Sequence, residues 1–397
     1  MDRVQSKRSE TVVIIPTRNR ADLAISAIRS VLNEPVDDVR VLVSDNSTAE
    51  SEKIALADFC RQLLDPRLLY VVPPKALVMT EHWDWAMQPA LQLPRADHFI
   101  YLTDRSIFRP GALASIIEIS QRNPDKVVSY DWVTIFDHLD PILVETKHQT
   151  GRVVEVSASR LLSLSSESVL PNCLPRMMNC CVPRSVVEVI KTRFGNVFDS
   201  ISPDYNFCYR CLEVVDSILY YDLAAFVSYA LPRSNGVNLI GISTDANRDF
   251  IANLAPDTVA TSLVPVPEFE TPANYVLQEY CLVQRETGSS KFPEIDLVKY
   301  LARNASNISS IQDSERKREM EALLKATGYR ALPPQWLKDL RGRLSLRTRI
   351  RRALRGERST LSSTAGPFAS VAEAIEYAVN VPLRTDPDPY HLRVLRE

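Results

Sequence analysis

The stretch Thr11–Arg20, TVVIIPTRNR, decides the fold. Val12 to Ile15 are all β-branched and apolar, and Pro16, Thr17 and Asn19 follow at once. The run therefore reads as a buried strand that stops abruptly in a turn. A helix is predicted next, with Asp22 as its cap and Leu23, Ile25, Ala27, Ile28, Val31 and Leu32 at helical spacing. Val39–Val43 repeats the strand pattern and ends in Ser44-Asp45-Asn46-Ser47, and a helix is expected from about Glu50 to Leu64. Strands at Leu68–Val72 and Phe99–Leu102 and helices around Glu81–Leu91 and Gly111–Gln121 continue the alternation. Such a sequence of elements predicts an α/β fold, a parallel sheet with helices on both faces. Ligands bind at the carboxyl ends of such strands, so Pro16–Arg18, Ser44–Asn46 and Thr103–Ser106 are expected to converge on one crevice.

Farther along, a strand is predicted at Val127–Phe136, a strand leading into a helix at Gly151–Leu164, a helix at Pro203–Leu219 and a strand at Tyr220–Tyr229. Beyond Ile240 the alternation fades. Thr271–Arg303 and Ser314–Lys325 read as helical, Ser359–Pro367 as a linker, and Val371–Val379 as a short amphipathic helix. The expected organisation is a flexible start over 1–9, the sheet domain over 10–242, a helical extension over 243–332, and a basic amphipathic segment with a C-terminal tail over 333–397.

With 397 residues, 45% hydrophobic and 24% charged, the chain can bury a full core. Its net charge is only −2, yet nine Lys and Arg side chains crowd into Trp336–Arg358 against Asp339 and Glu357, which leaves the rest acidic. Nucleic acid is not an expected partner of the main body. The basic segment interleaves leucines with arginines, a pattern suited to an anionic membrane surface. All ten glycines lie at or after position 111, which excludes a phosphate-cradling glycine loop at the first strand and, with it, P-loop and dinucleotide-binding enzymes. The seven cysteines follow no repeating frame and, with no signal-peptide core at the N-terminus, predict buried thiols in a reducing cytoplasm; Cys208 and Cys211 lack the second pair that a zinc site needs.

Pro16-Thr17-Arg18-Asn19 offers hydroxyl and guanidinium groups at one strand end, and Asp45 offers a carboxylate at the next. Either loop alone is ordinary turn chemistry. Together, at the ends of adjacent strands, they favour nucleotide binding. A third strand end, Thr103-Asp104-Arg105-Ser106, precedes Pro110-Gly111-Ala112-Leu113. This set resembles the family 2 glycosyltransferases, over roughly Glu10 to Ile242.

The resemblance implies a GT-A fold, a Rossmann-like mostly parallel sheet flanked by helices, with a C-terminal helical extension. It implies an inverting transfer of a sugar from a UDP-, GDP- or dTDP-linked donor to a glycan or lipid-linked acceptor, in bacterial surface polysaccharide or glycoconjugate synthesis. Pro16, Thr17, Arg18, Asp45, Asp104 and Arg233 would bind the donor. Relatives carry consecutive carboxylates that hold Mn²⁺ or Mg²⁺ where this chain has only Asp104. Arg105 and Ser106 replace the others, so metal independence is favoured, with Arg105, helped by Arg18 or Arg109, pairing with the diphosphate. An acid at the start of a helix well past this cluster would be the base; Asp204 is the candidate and Asp199 the reserve. The expected location is the cytoplasm, peripheral on the inner face of the membrane. The alternative is a catalytically silent GT-A-like module that binds nucleotide or glycan, or scaffolds.

Overall fold

A computed structural model describes residues 9–146, 149–233, 263–329 and 363–382, together with Leu392 and Leu395. The chain opens as the alternation predicts. Strands β1 (Glu10–Thr17), β2 (Val39–Asp45), β3 (Leu68–Val71) and β4 (Ala96–Tyr101) are separated by helices α1 (Ala21–Leu32), α2 (Glu50–Leu63) and α3 (Met79–Leu91). They lie parallel in the order β3-β2-β1-β4. The four residues that announced β1 divide by parity, with Val12 and Ile14 in the core on one face and Val13 and Ile15 in the core on the other. All four are fully buried, each worth about 1.5–3 kcal/mol relative to exposure. Phe99 and Tyr101 on β4 join the first core, and Ile100 the second.

The second half of the sheet is mixed. It comprises β5 (Ser106–Phe108), β6 (Val128–Phe136), β7 (Ile142–Thr146), β8 (Val153–Ser157), β9 (Cys180–Pro183) and β10 (Ser217–Ser228). Strand β10 runs parallel to β6 and antiparallel to β5 and β8, while β9 runs antiparallel between β4 and β6. Helices α4 (Ala112–Arg122), α5 (Ala158–Ser166), α6 (Arg184–Phe194) and α7 (Pro203–Val214) cover it. The sequence carries the α7 helix on to Leu219, but Leu219 already belongs to β10, where it faces Val128. The cap of α1 is Arg20, with Asp22 inside its first turn. Gly111 adopts φ +75° ahead of α4, and the buried Glu34 accepts hydrogen bonds from the Gly111 and Ala114 amides at 2.8 and 3.2 Å. The Pro-Gly-Ala-Leu signature thus builds a helix start.

Beyond the sheet, the long helical stretch predicted from Thr271 divides into α8 (Pro272–Thr287) and α9 (Leu297–Ser309). The division follows Gly288, left-handed at φ +57°. Helix α10 (Ser314–Ala326) comes next. The expected linker ends differently, because Ser363–Phe368 forms strand β11, antiparallel to β7, and leads into α11 (Val371–Asn380). Pro367 is tolerated there because β11 is an edge strand. The basic segment 336–358 and residues 234–262 lie outside the described residues. None of the described helices is long and apolar enough to cross a membrane.

Arg109 ties α11 to the sheet. Its Nε donates to the Val379 carbonyl at 3.2 Å, its Nη1 to Ala224 at 3.3 Å, and its Nη2 to Val381. These bonds commit Arg109 to the fold and remove it as a helper for phosphate. Arg109→Ala is expected to cost about 1.5–3 kcal/mol, the range for hydrogen bonds to a charged group, and to release the segment from 363 onward. Thermal unfolding with limited proteolysis checks this; unchanged protection of that segment would contradict it.

Candidate functional site

In the β1–β2 register Thr17 stands opposite Asp45 and Pro16 opposite Ser44, and the Leu102 amide after β4 donates to Ile14 at 2.9 Å. Three strand ends therefore sit side by side, as the sequence predicts. The turn after β1 is fixed by Asn19, which holds φ +54°, a left-handed conformation that Asn tolerates better than most residues. Its carboxamide oxygen accepts from the Thr48 and Ala49 amides at 2.8 and 3.0 Å, and its own amide donates to Ser47 Oγ at 2.8 Å. Loop one is thereby stitched to loop two.

At the centre is Asp104, only 2% exposed. Thr17 Oγ1 donates to its Oδ2 at 2.9 Å, and Arg20 Nε pairs with the same oxygen at 3.1 Å. Arg105 and Arg233 also act on it electrostatically. Burial raises the Asp104 pKa above the ordinary carboxylate value, and the guanidiniums of Arg20, Arg105 and Arg233 with the Thr17 hydroxyl oppose that rise. Arg233 is bound to Asp22 at 2.9 Å and reaches the Asn19 carbonyl at 3.3 Å, while Arg20 Nη1 donates to the Arg233 carbonyl at 3.0 Å. Arg105 is anchored to the end of β10: its Nη1 donates to the Tyr229 carbonyl at 3.1 Å and its carbonyl accepts from the Tyr229 amide at 3.1 Å. Burial holds the Arg105 guanidinium below its usual pKa.

Thr17, Asp104, Arg105 and Arg233 are thus brought together, and Arg20, which the sequence did not single out, completes the set. The other donor candidates lie on the neighbouring strand ends. Arg18 Nη1 donates to the Leu77 carbonyl at 3.0 Å. Asp45 is fully buried and accepts from the Ser47 amide at 2.9 Å and from Tyr70 Oη at 2.7 Å. Pro16 is buried at the strand end between them. Asn46 pairs with both backbone groups of Leu77, at 2.8 and 2.9 Å. Ser44 Oγ lies 2.8 Å from His82 Nε2, and burial pushes that imidazole down to about 4.

Asp204 occupies the first turn of α7, half-buried beside Arg176. Burial raises its pKa, and the Arg176 guanidinium opposes the rise. That guanidinium lies 4.6 Å from the Trp132 ring centre and 5.3 Å from that of Tyr205, and donates to Tyr205 Oη at 3.2 Å. Asp199, the reserve, caps its own turn through the Ser200 amide at 2.7 Å and pairs with the buried Arg210 at 3.2 Å. The stretch 77–80 connects the two clusters: Leu77 holds Arg18 and Asn46, and Thr80 Oγ1 donates to the Ser200 carbonyl at 2.7 Å.

A divalent cation does not suit Asp104. Three guanidiniums act on that one carboxylate, and their charge opposes a cation placed beside it. Cys208 and Cys211 are buried free thiols, as are Cys173, Cys180 and Cys181.

Residues 12–168 match the family model described as "Glycosyl transferase family 2". Over those residues the chain is similar to that family. Its sheet is parallel around β1, with a covered core on both faces. No curated relative matches the chain by sequence. Among solved structures the chain is similar to S. aureus TarS at 13% identity and a TM-score of 0.42, the match covering 68% of this chain and 55% of that one. It is similar to S. aureus TarS 1–349 in complex with UDP-GlcNAc at 11% and 0.42, over 70% and 92% of the two chains. It is also similar to the mannosyltransferase PcManGT from Pyrobaculum calidifontis, in complex with GDP-Man and Mn²⁺, at 13% and 0.43, over 81% and 86%. The match thus spans about half the length of the TarS chain.

His82 gives the strand-end loops of this domain a pH response. The unfolded chain takes up a proton as the pH falls through 6.5, whereas the folded site keeps the ring neutral down to about 4. Stability contributed by neutral His82 is therefore present above 6.5 and lost between 6.5 and 4. Wild-type protein is expected to lose several degrees more of melting temperature between about pH 7 and pH 4.5 than His82→Gln does. Parallel melting curves for the two proteins would contradict this.

Proposed function

We propose that this protein moves a sugar from a nucleotide-sugar donor to an acceptor hydroxyl, with inversion at the anomeric carbon. The observation that carries this reading is the set of guanidiniums from Arg20, Arg105 and Arg233 gathered around Asp104 at the ends of β1 and β4. Guanidinium groups bind diphosphate oxygens in bidentate fashion, and here they stand with Asp104 on Arg20 and Asp22 on Arg233 as their resting partners. Asp104 keeps the arginines aimed at the crevice and offsets their mutual repulsion before the donor arrives. Arg18 and the Asp45–Asn46 turn would face the nucleoside.

In the reaction the bond between the anomeric carbon and the diphosphate oxygen breaks as the acceptor oxygen bonds to that carbon from the opposite face. The acceptor proton passes to Asp204, and the electron pair of the broken bond leaves on the diphosphate. Charge growing there is stabilised by guanidiniums already in place, the kind of preorganised electrostatic effect that dominates many such steps. Burial, which raises the proton affinity of Asp204, improves it as a base. No step is assigned to a metal. UDP-, GDP- and dTDP-sugars are the donor class, and a glycan or lipid-linked hydroxyl in surface polysaccharide synthesis is the acceptor class. The basic charge of residues 336–358 supports contact with an anionic membrane from the cytoplasmic side, where a lipid-linked acceptor would be met.

The test is nucleotide release from a panel of UDP-, GDP- and dTDP-sugars. Wild-type protein should turn over one donor, Asp204→Asn should lower kcat by about 10²- to 10⁴-fold with nucleotide affinity retained, and Arg20→Ala should raise KM about tenfold or more. Nucleotide binding without turnover of any donor would overturn the proposal in favour of a catalytically silent module.

A further inference from the structure

Helices α7 and α8 both lie beyond the matched family segment, and α8 with the residues just after it grips α7 at both ends. At the amino end, Glu279 is fully buried; its Oε1 accepts from the Ser202 amide at 2.9 Å and its Oε2 from Asn206 Nδ2 at 3.1 Å. Ser202 is the cap of α7 and stands two residues before Asp204. At the carboxyl end, Lys291 Nζ, just past α8, donates to the Glu213 and Val215 carbonyls at 2.9 and 3.2 Å. A third contact joins Glu286 of α8 to Arg210 of α7 at 3.6 Å, and Arg210 in turn pairs with Asp199 at 3.2 Å and Asn196 Oδ1 at 2.8 Å. Glu279 therefore meets the amino end of α7 and Lys291 its carboxyl end, each on backbone groups the helix cannot satisfy itself.

We infer that Glu279 is a positioning residue: together with Lys291 it holds α7 so that Asp204 faces the donor, which makes the helical extension part of the catalytic apparatus. This rests on the assignment of Asp204 under the proposed function. A fully buried carboxyl in the middle of a helix is costly unless its partners need it, and a displacement of a reacting group by a fraction of its contact distance is enough to slow a reaction. Ser200, Ser202, Asn206 and Asp204 are the groups that face it from the α7 side, and Glu286 and Arg210 lie farther along the same interface. Burial pushes Glu279 up to about 8.

The test compares Glu279→Leu, Glu279→Gln, Lys291→Met and Asp204→Asn by nucleotide release, nucleotide affinity, and hydrogen exchange of the 200–206 and 10–17 backbone. Glu279→Leu is expected to lose roughly 30-fold in kcat, as a misplacement of about 1 Å can do, with affinity unchanged. Exchange should quicken over 200–206 and stay unchanged over 10–17. Glutamine keeps an acceptor for the Ser202 amide and meets Asn206 once that amide inverts, so Glu279→Gln should stay within about threefold of wild type. Because the native carboxyl binds its proton more tightly than in the unfolded chain, wild type should lose stability relative to Glu279→Gln as the pH rises from about 5 to 8. Lys291→Met, on a partly exposed side chain, covers the case in which Glu279→Leu does not fold, and should quicken exchange toward the end of α7 with a several-fold fall in kcat. Wild-type exchange and kcat in both Glu279→Leu and Lys291→Met would overturn the inference, as would equal losses in Glu279→Leu and Glu279→Gln. An Asp204→Asn protein with wild-type kcat would instead overturn Asp204 as the base, and faster exchange in Glu279→Leu would still show the clamp.

Discussion

A buried carboxylate at a strand end is tolerable only if its charge is matched, and Asp104 imposes that requirement on everything around it. Thr17 and Arg20 contact it directly, and Arg105 and Arg233 supply further positive charge. Each of these is held by another part of the fold: Arg20 by the Arg233 carbonyl, Arg233 by Asp22 at the start of α1, Arg105 by Tyr229 at the end of β10. Three guanidiniums and their carboxylate partners thus stand together where the strands end. A diphosphate is the ligand chemistry that such a group of guanidiniums suits under the proposed function.

The same logic of fixed loops governs the nucleoside side and the base side. Asn19 in its left-handed turn, the doubly bonded Asn46 and the Tyr70–Asp45 contact leave little freedom to the first two loops. The 77–80 stretch then passes that rigidity to the turn before α7. Opposite it, the extension holds α7 through Glu279 and Lys291. Donor loops and base candidate are positioned by different elements, joined through the hydrogen bonds that the 77–80 stretch makes to each side.

The first half of the fold was legible because each of its elements announces itself locally. Val12 to Ile15 are apolar on both faces because both faces of β1 are covered. Strands β5, β7 and β9 were not, being three to five residues long, and β5 and β9 are defined by antiparallel partners distant in sequence. Ser363–Phe368 looked like a linker because its Gly and Pro are tolerated at the sheet edge, and edge pairing with β7 leaves no periodic mark. Within the site, Thr17, Asp104 and Arg105 were readable as strand-end residues. Arg20 was not, since only the tertiary fold turns it back onto Asp104. Its one local signal was a second arginine closing the Thr-Arg-Asn-Arg turn. Glu279 gave no signal at all, because an acid within a helical pattern normally faces water.

The most direct measurement is calorimetric titration of UDP, GDP and dTDP into the protein, each in EDTA and again with Mn²⁺. If the guanidiniums around Asp104 supply the charge that holds the diphosphate, one nucleotide binds with the same dissociation constant, within about twofold, in both conditions. Binding that appears only with Mn²⁺ would contradict that account and restore Asp104 as a metal ligand.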